Sequence, residues 1–142
     1  LNMVEFATVV VDDRVEYANI ERFTTADQII VSDFTSVFNE LDIDEQSYII
    51  IITRGHMHDQ QVLAQALRSK VAYIGMIGSH SKRDSIYRSL MNEGFSSGDL
   101  QQVYSPIGLS IGADTPEEIA ISITAELIKV RAGRRRESQS IC

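Results

Sequence analysis

The sequence predicts an α/β domain, a Rossmann-like three-layer arrangement with a mostly parallel sheet. Short β-branched runs alternate with helical patterns along the whole chain. The runs are continuously apolar rather than alternating, as strands covered by helices on both faces should be. The alternation of the two element types then calls for parallel strands joined by crossovers. With 142 residues and 44% apolar side chains, the chain is long enough for one domain with a real core.

The expected strands are ATVVVDD at 7–13, QIIV at 28–31, YIIIIT at 48–53, VAYIGMI at 71–77 and a short QVYS at 102–105. Between them SVFNELDI (36–43), DQQVLAQALRSK (59–70) and KRDSIYRSLMNEGF (82–95) read as helices. The last helix is TPEEIAISITAELIKVR at 115–131. Thr115 is its cap, Pro116 takes the first helical position, and Glu118 completes a capping box. Ile119, Ile123 and Leu127, with Ile128, form the apolar face that lies on the sheet. The domain is expected over 1–132, with 133–142 a basic, disordered tail.

Charge is unevenly spread. The net charge of −7 divides into −11 over residues 1–128 and +4 over the last fourteen. An acidic body argues against a general nucleic-acid surface, which needs a basic face. No apolar run approaches the ~18 residues of a membrane span, and no signal-peptide pattern opens the chain. The single cysteine, Cys142, excludes disulfide frameworks and CxxC motifs. A soluble, cytoplasmic protein is the expectation.

Ligands of open α/β sheets bind outside the carboxyl ends of the strands. All three histidines fall on that edge: His56 and His58 follow the third strand and His80 the fourth. Arg14, Arg54, Lys82 and Arg83 also follow strands, as do Asp12, Asp13, Asp59 and Asp114. Gly55, Gly75, Gly78, Gly108 and Gly112 flank the same loops and allow backbone to approach a ligand. Helix starts there favour an anion, so a phosphate-bearing ligand is the natural guest. His56, His58 and Asp59 could in principle hold zinc, yet no second ligand cluster accompanies them, and no metal site is expected.

A dinucleotide site would open with strand, GxGxxG and helix. Asp12 or Asp13 stands where a ribose contact belongs, but only six residues precede Ala7, so the first βα unit is expected to be missing. In the 3-2-1-4-5 strand order that absence would leave two unpaired strand edges inside the sheet.

The segments VVVDDR, YIIIITRGHMHDQQVLAQAL, YIGMIGSHSKR and YSPIGLSIGADTPEEIAISITAELI resemble the C-terminal Rossmann-type domain of the XdhC/CoxI family, accessory factors for xanthine dehydrogenase and related molybdenum hydroxylases. The resemblance covers roughly residues 7–132. Where the family often carries GSRRK and IGLDIGA, this chain has GSHSKR and IGLSIGA. The resemblance implies a non-catalytic role: binding the molybdenum cofactor (molybdopterin, a phosphorylated pterin), promoting its sulfuration and delivering it to the apo-hydroxylase. A cysteine desulfurase and the target enzyme are the implied partners, and the unpaired edges suggest a homo-oligomer.

On that reading, N–H groups around Gly78 and Ser79, helped by Lys82 or Arg83, hold the phosphate. Arg54 and His56 contact the pterin or the metal's ligands, and Gly108 and Gly112 allow close approach. Asp12, Asp13, Arg14, Gly55, His58 and Gly75 complete the candidate cofactor site. Blander roles stand beside these: Asp12 and Asp13 capping a turn with Arg14 paired to one of them, and Ser79 capping a helix. Two other classes compete, an NAD(P)-binding oxidoreductase domain with His56 as acid or base, and an interaction module with a vestigial pocket.

Overall fold

A computed structural model describes residues 4–140 except 17, 20, 22 and 54, and leaves aside the side chains of 55, 56 and 138–140. The chain divides into two compact units, Leu1–Asp42 and Ile43–Cys142. All five expected strands are present, each shorter than its apolar run or equal to it.

The first unit holds β1 (Val9–Asp12) and β2 (Gln28–Val31), paired in parallel with Val9 opposite Gln28. Asp27 ties the register: its carboxylate accepts the Thr8 N–H at 2.7 Å, and its own N–H donates to Thr8 O at 2.9 Å. The helix expected over 36–43 is only a 3-10 turn at Val37–Asn39. Glu40, Asp42 and Asp44 would crowd negative charge at the negative end of such a helix. Asp44 instead accepts the Gln46 N–H at 2.8 Å and builds a turn into the next strand.

The second unit holds β3 (Tyr48–Ile51), α1 (Gly55–Leu67), β4 (Tyr73–Met76), α2 (His80–Asn92), α3 (Ser97–Leu100), β5 (Val103–Tyr104) and α4 (Pro116–Ser140). Its sheet order is β3-β4-β5, all parallel. Only β4, the central strand, is buried at every position; the other strands, each with a single strand neighbour, are partly exposed. Continuous apolar runs therefore overstate burial for strands at an edge. Among the described residues no ladder joins β1 to β3.

Side chains alternate across β4. Tyr73 and Gly75 face α4, and Ile74 and Met76 face the other way, where right-handed crossovers set α1 and α2. Tyr73 lies stacked between Tyr48 at 6.0 Å and Tyr104 at 4.7 Å. Leu63, Met76, Ile86 and Leu90 are fully buried in the core beneath the crossover helices.

Helix ends follow local chemistry. The Ser79 side chain accepts the Lys82 N–H and starts α2. At its other end Gly94 adopts φ +104, and Phe95 and Gly94 N–H groups return to Leu90 and Met91 carbonyls, closing the helix. Thr115 and Glu118 form the expected capping box of α4, at 3.1 Å in each direction. α4 then runs past the expected end at 131 through Ser140, where residues 133–140 were read as tail. Arg134, on that extension, donates to Glu45 O at 2.9 Å, ahead of β3. No helix among the described residues is long and apolar enough to cross a membrane.

Candidate functional site

At the carboxyl ends of β4 and β5 an open cleft of about 620 Å³ is lined by Gly78, His80, Gly108, Ser110, Gly112 and their neighbours. A second cleft, of about 630 Å³, lies at the opposite ends of these strands, against Lys70, Tyr104 and Arg134, and holds none of the expected site residues. The carboxyl-edge cleft is therefore the candidate. Its lower wall is the β4–α2 turn, and its upper wall is the loop 105–112.

The expected helix at 59–70 starts earlier, since α1 begins at Gly55, within the stretch 54–58 left between strand and helix. A helical backbone separates positions two apart by about 200°, so a His-x-His pattern there does not converge on one point. Arg54 and the His56 side chain lie outside the described residues. His58 is half-buried in the first turn. No cluster of three or more His, Cys, Asp or Glu able to hold a metal occurs among the described residues.

Asp59, at 0% exposure, organises this end of the sheet. Its Oδ1 accepts the Thr53 N–H at 3.0 Å and the Thr53 hydroxyl. Its Oδ2 pairs with the Lys82 ammonium, which also donates to Ile77 O at 3.5 Å. A buried carboxylate needs such compensation. The pair joins the start of α1 to the first turn of α2, so the TRGHxHD and GSHSK segments meet through Asp59 and Lys82. Lys82 also lies across Gly78, where a Cβ would fall 2.7 Å from its Cδ.

Arg83 is committed as well. Its Nη1 donates to Ser105 O at 3.0 Å, and Nε and Nη2 hold Asp84 at 3.1 Å. Both cations expected at a phosphate thus have carboxylate partners within the protein. The N–H groups of His80 and Ser81 remain as first-turn donors that α2 does not use itself.

The upper wall is fastened to α4. Gly108, at φ +97, has the side chain of Ser122 filling the space of its absent Cβ. Its N–H donates to Glu126 Oε1 at 3.1 Å, and the Leu109 N–H donates to Ser122 O at 3.2 Å. Glu126 also accepts the Tyr73 hydroxyl at 2.6 Å. Burial first, then the hydrogen bond to Glu126 and its charge, push the Tyr73 phenol far above its ordinary value. Gly75 has a packing reason to be glycine: a Cβ would fall 2.5 Å from the Tyr73 hydroxyl and 2.6 Å from Ile107.

The structure therefore brings Gly78, Ser79, Lys82, Gly108 and Gly112 to one cleft or its rim, with Arg83 supporting the loop. Asp12, Asp13 and Arg14 belong to the first unit. There Asp12 Oδ1 accepts the Arg14 N–H at 3.0 Å and its Nε at 3.3 Å, which is the turn-capping arrangement. Sequence reading missed Thr53, Tyr73, Ser122 and Glu126. Glu126 had a signal: with Ile119, Ser122 and Ile123 it falls on the helical spacing of the buried face, whereas Ile128, expected there, is 38% exposed.

Comparisons with known proteins agree with this fold. The profile of the XdhC Rossmann domain matches residues 1–127. The chain is 32% identical over 126 residues to a probable xanthine dehydrogenase subunit of Bacillus subtilis, covering 89% of this chain and 36% of that protein. It is 26% identical over 96 residues to the molybdenum cofactor insertion chaperone PaoD of Escherichia coli, covering 68% of this chain and 30% of the relative. A crystal structure described as a xanthine dehydrogenase from Bacillus halodurans superimposes with a TM-score of 0.81 at 36% identity, over 93% of this chain and 37% of that one. The chain thus spans about a third of the length of these relatives. By motif, fold and matched span, the chain belongs to the XdhC Rossmann-domain family.

Proposed function

We propose that this chain is the cofactor-holding part of an accessory factor that carries the molybdenum cofactor to a xanthine dehydrogenase-type hydroxylase. The observation that carries the reading is the carboxyl-edge cleft, where the glycine-rich β4–α2 turn faces the glycine-rich loop 105–112. Support comes from the likeness to a cofactor insertion chaperone.

The cleft fits a phosphorylated pterin. Gly112 has open space where a Cβ would stand, and Gly78 and Gly108 turn the chain through positive φ, so backbone forms part of the wall that a flat ring would approach. The first-turn N–H groups of α2 suit a phosphate, which the dipole of that helix favours. With Lys82 and Arg83 each facing a carboxylate, backbone donors carry most of the anion's recognition. When bound, the cofactor supplies oxo-transfer chemistry to the hydroxylase that receives it, while these residues hold, orient and release it.

Arg54 and His56 approach the pterin or the metal's ligands on this reading, Gly55 and His58 flank them, and the apo-hydroxylase and a cysteine desulfurase are the partners. The test is anaerobic titration of molybdenum cofactor into the full chain and its Arg54→Ala and His56→Ala variants. Each variant is expected to bind at least tenfold more weakly with an unchanged circular dichroism spectrum. Unchanged affinity in both would remove this edge from the site.

A further inference from the structure

Glu126 is a carboxylate, 7% exposed, on the sheet-facing side of α4, and no lysine, arginine or histidine pairs with it among the described ion pairs. Its Oε1 takes two donors: the Tyr73 hydroxyl at 2.6 Å and the Gly108 N–H at 3.1 Å. Tyr73 cannot swing away, because Tyr48 and Tyr104 stack on its two sides and Gly75 leaves room for nothing larger than hydrogen beside its hydroxyl. The carboxylate is thus held from the sheet and in turn holds the loop. One helical turn earlier, Ser122 O accepts the Leu109 N–H at 3.2 Å. Gly108 and Leu109 both line the cleft.

We infer that Glu126, fixed by Tyr73, is a positioning residue that sets the shape of the ligand-facing loop 105–112. This inference rests on the cofactor-holding reading, since it assigns what shapes the upper wall of that same cleft. A hydrogen bond to a buried charged group is stronger than a neutral one. A carboxylate therefore holds a loop whose backbone has φ +97 at Gly108 more firmly than a neutral acceptor does. Truncation at 126 would leave both the Gly108 N–H and the Tyr73 hydroxyl without their acceptor.

The experiment compares wild type, Glu126→Ala, Glu126→Gln and Leu90→Ala in the full chain. Leu90 is fully buried in the core away from the cleft, and its truncation lowers stability without touching the loop. Two readouts are taken well below the melting temperature of every variant: amide exchange at Gly108 and Leu109, and affinity for molybdenum cofactor. Glu126→Ala is expected to exchange both amides at least tenfold faster and to bind at least tenfold more weakly. Glu126→Gln, which keeps an oxygen acceptor, should recover most of each loss, and Leu90→Ala should keep wild-type affinity. Wild-type binding with equal affinity in Glu126→Ala overturns the inference and leaves the proposed function standing. Equal loss in Leu90→Ala also overturns it, because general destabilisation then accounts for the effect. Absence of wild-type binding overturns the proposed function and, with it, the ligand-shaping role.

Discussion

Lys82 has one carboxylate partner whose own burial is complete, so its removal should be costly. Lys82→Met leaves the buried Asp59 Oδ2 without its cationic partner, and a loss of roughly 3–5 kcal/mol in unfolding free energy is expected from urea titration. A loss below about 1 kcal/mol would show that the pair is not a structural clasp. Gly75→Ala tests the other side of the sheet. Its Cβ would press on a tyrosine already packed between two rings, and overpacking of this kind costs ~1–3 kcal/mol. A glycine keeping space for a ligand alone would give no such loss. These residues also mark the limit of sequence reading at this scale. That GSHSKR and TRGHMHD lie at the same end of the sheet was legible from their places after strands. That Lys82 and Asp59 satisfy each other, leaving neither as a simple anion contact, depends on two helix starts meeting in space.

Among the elements, the helix caps carry a pH dependence. Glu118 accepts N–H groups from Thr115 and Asp114, and these bonds hold its carboxyl below the ordinary 4.5. Backbone and side-chain hydrogen bonds from Ser96 likewise lower Asp99 below 3.8. A carboxylate lowered by folding adds stability that is present above its unfolded value and is lost as pH falls through the folded one. Melting curves should therefore decline below about pH 4.5, and Glu118→Gln with Asp99→Asn should flatten part of that decline. Parallel acid limbs in wild type and double variant would contradict the assignment. The strands were legible because β-branched runs have few other fates, and the α4 start because its capping box is spelled out within four residues. The helix read at 36–43 failed where acidic side chains offered turn bonds to the backbone. The reach of α4 was hidden because Arg134, a surface residue by type, finds Glu45 O far back in the chain.

At the scale of the whole molecule, the described strands form two separate parallel sheets, β1-β2 and β3-β4-β5. β1 and β3 each have one strand neighbour among the described residues, and each offers a row of backbone groups to a further strand. The chain of 15.9 kDa is therefore expected to associate, with a light-scattering mass that rises with concentration. Ile52, 58% exposed just past β3, is the place to oppose this, and Ile52→Lys should reduce the association. A concentration-independent monomer mass would contradict edge pairing. The strands themselves were legible from their apolar runs, whereas the partial exposure of β3 was not, since apolar runs look alike at an edge and in a centre. The central claim is that the cleft between the β4–α2 turn and loop 105–112 takes the molybdenum cofactor. Its most direct test is the equilibrium binding isotherm of that cofactor for the full chain and for Ser110→Trp, which puts a large ring into the cleft from an exposed position. Saturable binding in wild type, weakened at least tenfold by the substitution, is the predicted result; equal binding by both, or none by wild type, would contradict it.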